Sequence, residues 1–158
     1  VLEIAKELPE LNFVLGGDGP LRQEIQMDAP KNCKFLGWID PKDFWSQVDV
    51  ALLTSENEAL PISLIEAQLN GLPSVSTPAG SAPEVVINEE NGFVSKSFSA
   101  LELSQLVKKL SSNPALRQKM GTSAKKRAKK FFSLEKQVTD HLIAYTHAIE
   151  IRKGNRDA

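Results

Sequence analysis

The sequence has one cysteine in 158 residues, Cys33, so no internal disulfide can form, and none is needed. A chain of this length buries roughly 70% of its unfolded surface and can hold together on its core alone. Cys33 sits in Cys33-Lys-Phe-Leu-Gly37, a strand-like run in which it reads as a small buried apolar residue, in keeping with a reducing cytoplasm. No apolar stretch approaches the length of a membrane span, and the first residues, Val1 onward, read as helix and not as a signal peptide. The net charge is −1, with 19 basic against 20 acidic residues, which excludes an overall nucleic-acid or membrane surface.

Several chemistries are absent too. His141 and His147 are six residues apart, off-face from one another and outside any zinc-ligand spacing. There is no Asp-x-Asp pair to hold a metal diphosphate, no Gly-x-Ser-x-Gly elbow and no lysine-bearing phosphate loop. Gly16-Gly-Asp-Gly19 lacks the third glycine of the dinucleotide fingerprint, because position 22 is Arg22, and NAD binding is discounted.

What is present is an alternation of strands and helices. Leu2, Ala5 and Leu8 mark a helix that stops before Pro9, and Leu11 to Leu15 follows as a buried strand. After the Gly16–Pro20 turn, a helix from Pro20 to about Ala29 precedes the strand Cys33 to Gly37. Asp40-Pro41-x-Asp43 opens another helix, with Asp40 as N-cap. Val48 to Thr54 is a short strand, Pro61 opens a helix, and Ser74 to Thr77 is a strand. A helix from Ser81, with Ser81-x-x-Glu84 as capping box, and the Asn91-Gly92 turn lead into Phe93-Val-Ser95. From Ser99 the pattern is helical: Ser99-x-x-Glu102 caps, Asn113-Pro114 punctuates, Gly121 interrupts, and the last helix runs from Ser133 toward Ile151. The alternation predicts an α/β, Rossmann-like fold with a mainly parallel sheet and helices on both faces, ending in C-terminal helices.

The most informative segment is Thr54-Ser-Glu-Asn-Glu58-Ala-Leu-Pro61-Ile-Ser-Leu-Ile-Glu66, where Pro61 separates two glutamates. Glu58 falls on the loop after a strand and Glu66 on the helix that follows, at a carboxyl-end loop where α/β sheets bind ligands. Ile62, Glu66 and Leu69 share a helical stripe. On spacing alone Glu66 reads first as a solvated helix residue; the alternative is a carboxylate facing a cleft and accepting two hydroxyl hydrogen bonds. Ser55-x-x-Glu58 has the form of a capping box, which Pro61 disfavours by excluding Leu60 from helical geometry. The amides of Ile62, Ser63 and Leu64 would suit a phosphate, as at any helix start. The run Lys125-Lys-Arg-Ala-Lys-Lys130 before Phe131-Phe132 reads as a solvated helical face, with contact to an anionic surface as the alternative.

Gly17-Asp-Gly-Pro20, Phe35-Leu-Gly37, Asp49, Ser55, Glu58 with Glu66, Gly71-x-Pro73, Gly80-x-x-Pro83-Glu84 and Asn91-Gly92, in this order and spacing, resemble glycosyltransferase family 4 (group 1) over nearly the whole chain. The match is to the C-terminal, nucleotide-sugar-binding half of a GT-B enzyme. The resemblance implies retaining, metal-independent transfer of a sugar from a UDP- or GDP-linked donor, with no cofactor, to a glycan, lipid or other acceptor. It implies that Glu66 holds the ribose hydroxyls and that Glu58 lies beside the donor sugar as the catalytic carboxylate. Ala59, Leu60, Pro61 and Ile62 would approach its hydroxyls and phosphate through the backbone. Gly37, Trp38 and Ile39 would meet the base, and Gly16, Gly17 and Gly19 would form a cleft wall. Three positions depart from the family pattern: Ala59 and Ala79 stand where glycines are usual, and Leu134 where tryptophan is common.

The family's sheet also implies a strand between those at Leu11 and Val50, together with an Arg, a Lys and an acceptor domain, all preceding Val1. The expectation is a single donor-binding domain over residues 1–158 that lacks its first strand, self-associates, recruits a strand or is unstable, and at most touches a membrane peripherally. The competing readings are a non-catalytic nucleotide-sugar-binding or scaffold module and a sugar-nucleotide epimerase.

Overall fold

The computed structural model describes residues 1–154. The chain runs α1 (Leu2–Glu7), β1 (Phe13–Gly16), α2 (Arg22–Met27), β2 (Cys33–Gly37), α3 (Pro41–Trp45), β3 (Ala51–Leu53) and α4 (Ile62–Leu69). It continues with β4 (Ser74–Ser76), α5 (Ala82–Val85), β5 (Gly92–Val94), α6 (Ala100–Ser111), α7 (Pro114–Phe131) and α8 (Leu134–Gly154). Every strand pair is parallel, as the helical crossovers require. The pairing divides, however, into a two-stranded sheet β1-β2 and a three-stranded sheet β3-β4-β5. β1 and β3 each present an unpaired edge, and a cavity of about 740 Å³ lies between them, lined along its length by residues 11–17 and 48–52.

Helices cover both faces of the three-stranded sheet. One core joins Ile4 and Ala5 of α1 and the capping Leu8 with Phe13, Val75, Phe93 and the inward row Leu103, Val107 and Leu110 of α6, and Met120 of α7 completes it. The other joins Ala51 of β3 to Leu64, Ile65 and Ala67 of α4 and to Ala82 and Val85 of α5. β4, central in its sheet, is buried along its whole length, as a parallel strand covered on both faces must be.

The elements differ from the sequence reading in a few places. α4 begins at Ile62 with Pro61 as its extended N-cap, and α2 begins at Arg22, after a turn that contains Pro20. Ser81 does not cap α5 through its backbone amides; its hydroxyl donates to Glu84 Oε1 at 2.7 Å. At α6 only half of the expected box forms. Ser99 Oγ accepts from the Glu102 amide, while the Glu102 carboxylate turns back to accept from the Lys96 amide, the Ser97 hydroxyl and the Ser97 amide, which hold it below the usual carboxylate range. Gly121 does not interrupt α7. A Cβ there would come within 2.1 Å of the Gly71 carbonyl oxygen, so the glycine lets α7 lie directly against the end of α4. Cys33 is half-buried and unpaired, and desolvation raises its thiol pKa. α8 leaves the body of the domain, and its residues 134–152 are all exposed.

Asn32 fixes the joint between α1 and the first sheet. Its side-chain nitrogen lies 2.8 to 3.1 Å from the carbonyl oxygens of Ala5, Leu8 and Leu11, and its own carbonyl accepts from the Phe13 amide. Asn32→Ala removes the donor from carbonyls already withdrawn from bulk water. The expected cost is about 1–3 kcal/mol in chemical denaturation, and a change within experimental error would show that water replaces the amide.

Candidate functional site

Parallel pairing sends the exits of the strands to one end of the molecule. There the Gly17 amide donates to the Gly37 carbonyl at 2.7 Å, and Gly16 stands in register with Gly37, so the exits of β1 and β2 form one unit. Asp18 Oδ1 accepts from the Gly19 amide at 2.8 Å, and Oδ2 receives Arg22 Nη1 at 2.9 Å. The amide first and the guanidinium second hold the Asp18 carboxyl below its usual pKa. Arg22, which breaks the dinucleotide fingerprint, has its own place here. Its guanidinium lies 3.0 Å from where a Cβ of Gly37 would stand.

Glu66 reaches the same end from α4. It is half-buried, and its Oε2 accepts from Trp45 Nε1 at 3.3 Å. Trp45 is set by the short helix α3, which starts as the sequence dictates: Asp40 accepts from the Lys42 amide at 2.8 Å and Pro41 fills the first turn. Phe44 stacks edge-on against Trp45 and packs on Gly16, tying α3 to the β1 exit. The stripe that Glu66 shares with Ile62 and Leu69 is the open side of α4, because the buried side carries Leu64, Ile65, Ala67 and Gln68. Ile62 is 58% exposed, so this stripe does not pack into the core.

Of the residues singled out from the sequence, Gly16, Gly17, Trp38, Ile39 and Glu66 line the cavity together. Trp38 is 85% exposed, its indole standing free at the rim. Gly19 and Gly37 belong to the turns that shape this wall and do not line it. Glu58, Ala59, Leu60, Pro61 and Ile62 do not line it either. Glu58 to Pro61 form a neighbouring loop that leads into Ile62 of α4 and is clamped to the β4 exit. Thr77 Oγ1 donates to the Ser55 carbonyl at 2.6 Å, and the Ser81 amide donates to that of Ala59 at 3.1 Å. The clamp depends on Gly80, whose φ is +50° and where a Cβ would stand 1.6 Å from the Glu58 carbonyl oxygen. Among the described residues no group of three or more His, Cys, Asp or Glu side chains could hold a metal ion.

The residues missed in the sequence are Trp45 and Thr77. Neither sits in a motif, since each acts across the fold on a residue more than twenty positions away. Gly80→Ala forces the acidic loop off the β4 exit, because no side-chain rotation relieves a backbone clash. The expected outcome is stability lower by roughly 1–3 kcal/mol, with amide chemical shifts changed around Glu58 and little changed around Trp38. Unchanged shifts at Glu58 would show that the clamp does not depend on this glycine.

The family described as "Glycosyl transferases group 1" matches residues 1–127. The Vi polysaccharide biosynthesis protein VipC/TviE of Salmonella typhi is 39% identical over 103 residues, which are 61% of this chain and 18% of that protein. The UDP-Gal:alpha-D-GlcNAc-diphosphoundecaprenol alpha-1,3-galactosyltransferase of Escherichia coli is 32% identical over 94 residues, 55% of this chain and 24% of that one. Among solved structures, Anabaena HepE in complex with UDP and glucose superposes with a TM-score of 0.77 at 22% identity, covering 90% of this chain and 44% of HepE. This chain therefore spans less than half the length of each of these proteins. With the family matched over most of its residues, and with parallel strands, helical crossovers and C-terminal helices that match GT-B structures, the chain belongs to the group 1 glycosyl transferases.

Proposed function

We propose that this chain is the donor-binding half of a retaining, metal-independent family 4 glycosyltransferase, taking a nucleoside diphosphate sugar with uridine as the favoured base. The observation that carries the reading is the Glu66 carboxylate, held by the Trp45 indole on the part of the cavity wall shared with Gly16, Gly17, Trp38 and Ile39, whereas the stretch along residues 11–15 and 48–52 is the gap between the two sheets. A carboxylate offers about four acceptor sites on two oxygens, so one bond to Trp45 leaves capacity for two vicinal hydroxyls. Trp38, exposed on the same rim, offers a flat apolar face beside the backbone groups that would meet the base. HepE binds UDP, and the E. coli relative is named for a UDP-linked donor, which supports uridine.

The diphosphate would lie toward the start of α4, whose first amides face it with the positive end of the helix. The Leu64 amide is already engaged by the Pro61 carbonyl at 3.1 Å, leaving Ile62 and Ser63 for this task. Glu58, on the clamped loop, would stand beside the donor sugar. Its carboxylate and the amides after it would stabilise charge that shifts toward the departing diphosphate. The acceptor would be a glycan, lipid or other hydroxyl compound, bound by groups other than those that line this cavity.

Glu66→Gln in the intact enzyme should weaken donor affinity by about ten- to a hundredfold, the value of a hydrogen bond to a charged group. Trp45→Phe should weaken it less, by letting the carboxylate turn. Isothermal titration with UDP-sugar reads both, and unchanged affinity in Glu66→Gln would refute the assignment. Donor binding with no transfer to any acceptor would instead favour a non-catalytic binding module.

The trench between β1 and β3 would take one further parallel strand, bonded to both open edges. Without it, the 158 residues alone should self-associate through those edges. Sedimentation velocity checks this: a monomer that also melts cooperatively would contradict it.

A further inference from the structure

The charge of this protein is unevenly placed. α7 carries seven of the 19 basic residues and none of the 20 acidic ones, so the remaining chain holds 12 cations against 20 anions. The helix is two-sided as well. Met120, Gly121, Ala124 and Ala128 are buried against the domain, whereas Lys119, Lys125, Lys126, Lys129 and Lys130 are exposed on the opposite face, within an arc of about 140° at 3.6 residues per turn. The two arginines do different work. Arg117 donates to the carbonyls of Leu110 and Ser111, and Arg127 to that of Glu84, so both are tied to the domain backbone.

Among the described residues no carboxylate lies within 4.0 Å of any lysine of α7; the ion pairs there are Arg22 with Asp18 and Lys136 with Asp140. Five like charges without counterions repel one another, and a solvated surface would ordinarily intersperse acids among them. Lys125, Lys126 and Lys129 instead converge, with Gln118 and Thr122, on a shallow groove of about 420 Å³ beside Gly71. At the end of the same helix Phe131 is 44% exposed, with Arg127 and Lys130 stacked on its ring, and Leu134 follows at 71%. A cationic face that ends in exposed apolar side chains is the chemistry of an anionic bilayer surface, with charges meeting headgroups and the apolar tip entering the interface.

We propose that the lysine face of α7 docks on an anionic membrane, with Phe131 and Leu134 at the point of entry and the acidic remainder of the domain turned away. The surface lies apart from the Glu66 cavity, so it stands or falls independently of the donor assignment.

Vesicle flotation tests it. The protein is expected to float with phosphatidylcholine vesicles containing roughly one-third phosphatidylglycerol and not with phosphatidylcholine alone, and its binding should fall steeply as salt is raised. Each lysine at such a surface is worth about fivefold, so Lys125→Gln, Lys126→Gln and Lys129→Gln together should lower partitioning by about a hundredfold, while arginine at the same three positions retains it. All three side chains are exposed, and a thermal melt checks that the variants stay folded. Equal binding to neutral and anionic vesicles, or a glutamine variant that partitions like the parent, would overturn the proposal. So would tight binding of single-stranded RNA at the same salt without vesicle binding, which would make the face a polyanion site of another kind.

Discussion

Parallel pairing is the constraint on which the rest of this structure depends. A parallel neighbour can be reached only by carrying the chain back across a face of the sheet, so each strand pair demands a helix, and all strands leave at the same end. The Gly16–Gly19 turn, the Gly37–Ile39 exit, the acidic loop after β3 and the turn at Gly80 meet there without any local sequence preference that says so. None of the four would be informative alone.

That gathering lets short-range contacts define the site. The indole of Trp45, Phe44 against Gly16, and the Gly17–Gly37 hydrogen bond join α3, α4 and two strand exits into one wall. The second glutamate is held by a separate device. The loop carrying Glu58 is fixed by its backbone, through Thr77, Ser81 and the bare face of Gly80, which leaves its side chain uncommitted. One carboxylate is held by a side-chain donor and the other by where its main chain is pinned.

The same parallel architecture leaves its mark where pairing stops. β1 and β3 face each other across a trench, each with an open edge. α8, exposed along its described side chains, likewise leaves the domain without a surface of its own to cover it.

The order of elements was legible because it rests on local rules. Asp40-Pro41 opens α3, Asn113-Pro114 opens α7, and the alternation of apolar runs with amphipathic ones requires a parallel α/β sheet. The spacing of Glu58 and Glu66 around Pro61 likewise placed one on a loop and one on a helix. What the sequence could not decide was direction and partnership. The stripe of Ile62, Glu66 and Leu69 has the periodicity of a buried face yet turns out to be the open one, because α4 buries its other side against β3 and α5. Gly121 has the look of a helix breaker, yet only the approach of the Gly71 carbonyl explains it. Periodicity and caps are properties of a few neighbouring residues and survive in the sequence; which face meets the core, which edge finds a strand and which indole meets a carboxylate depend on residues far along the chain, and only packing brings those together.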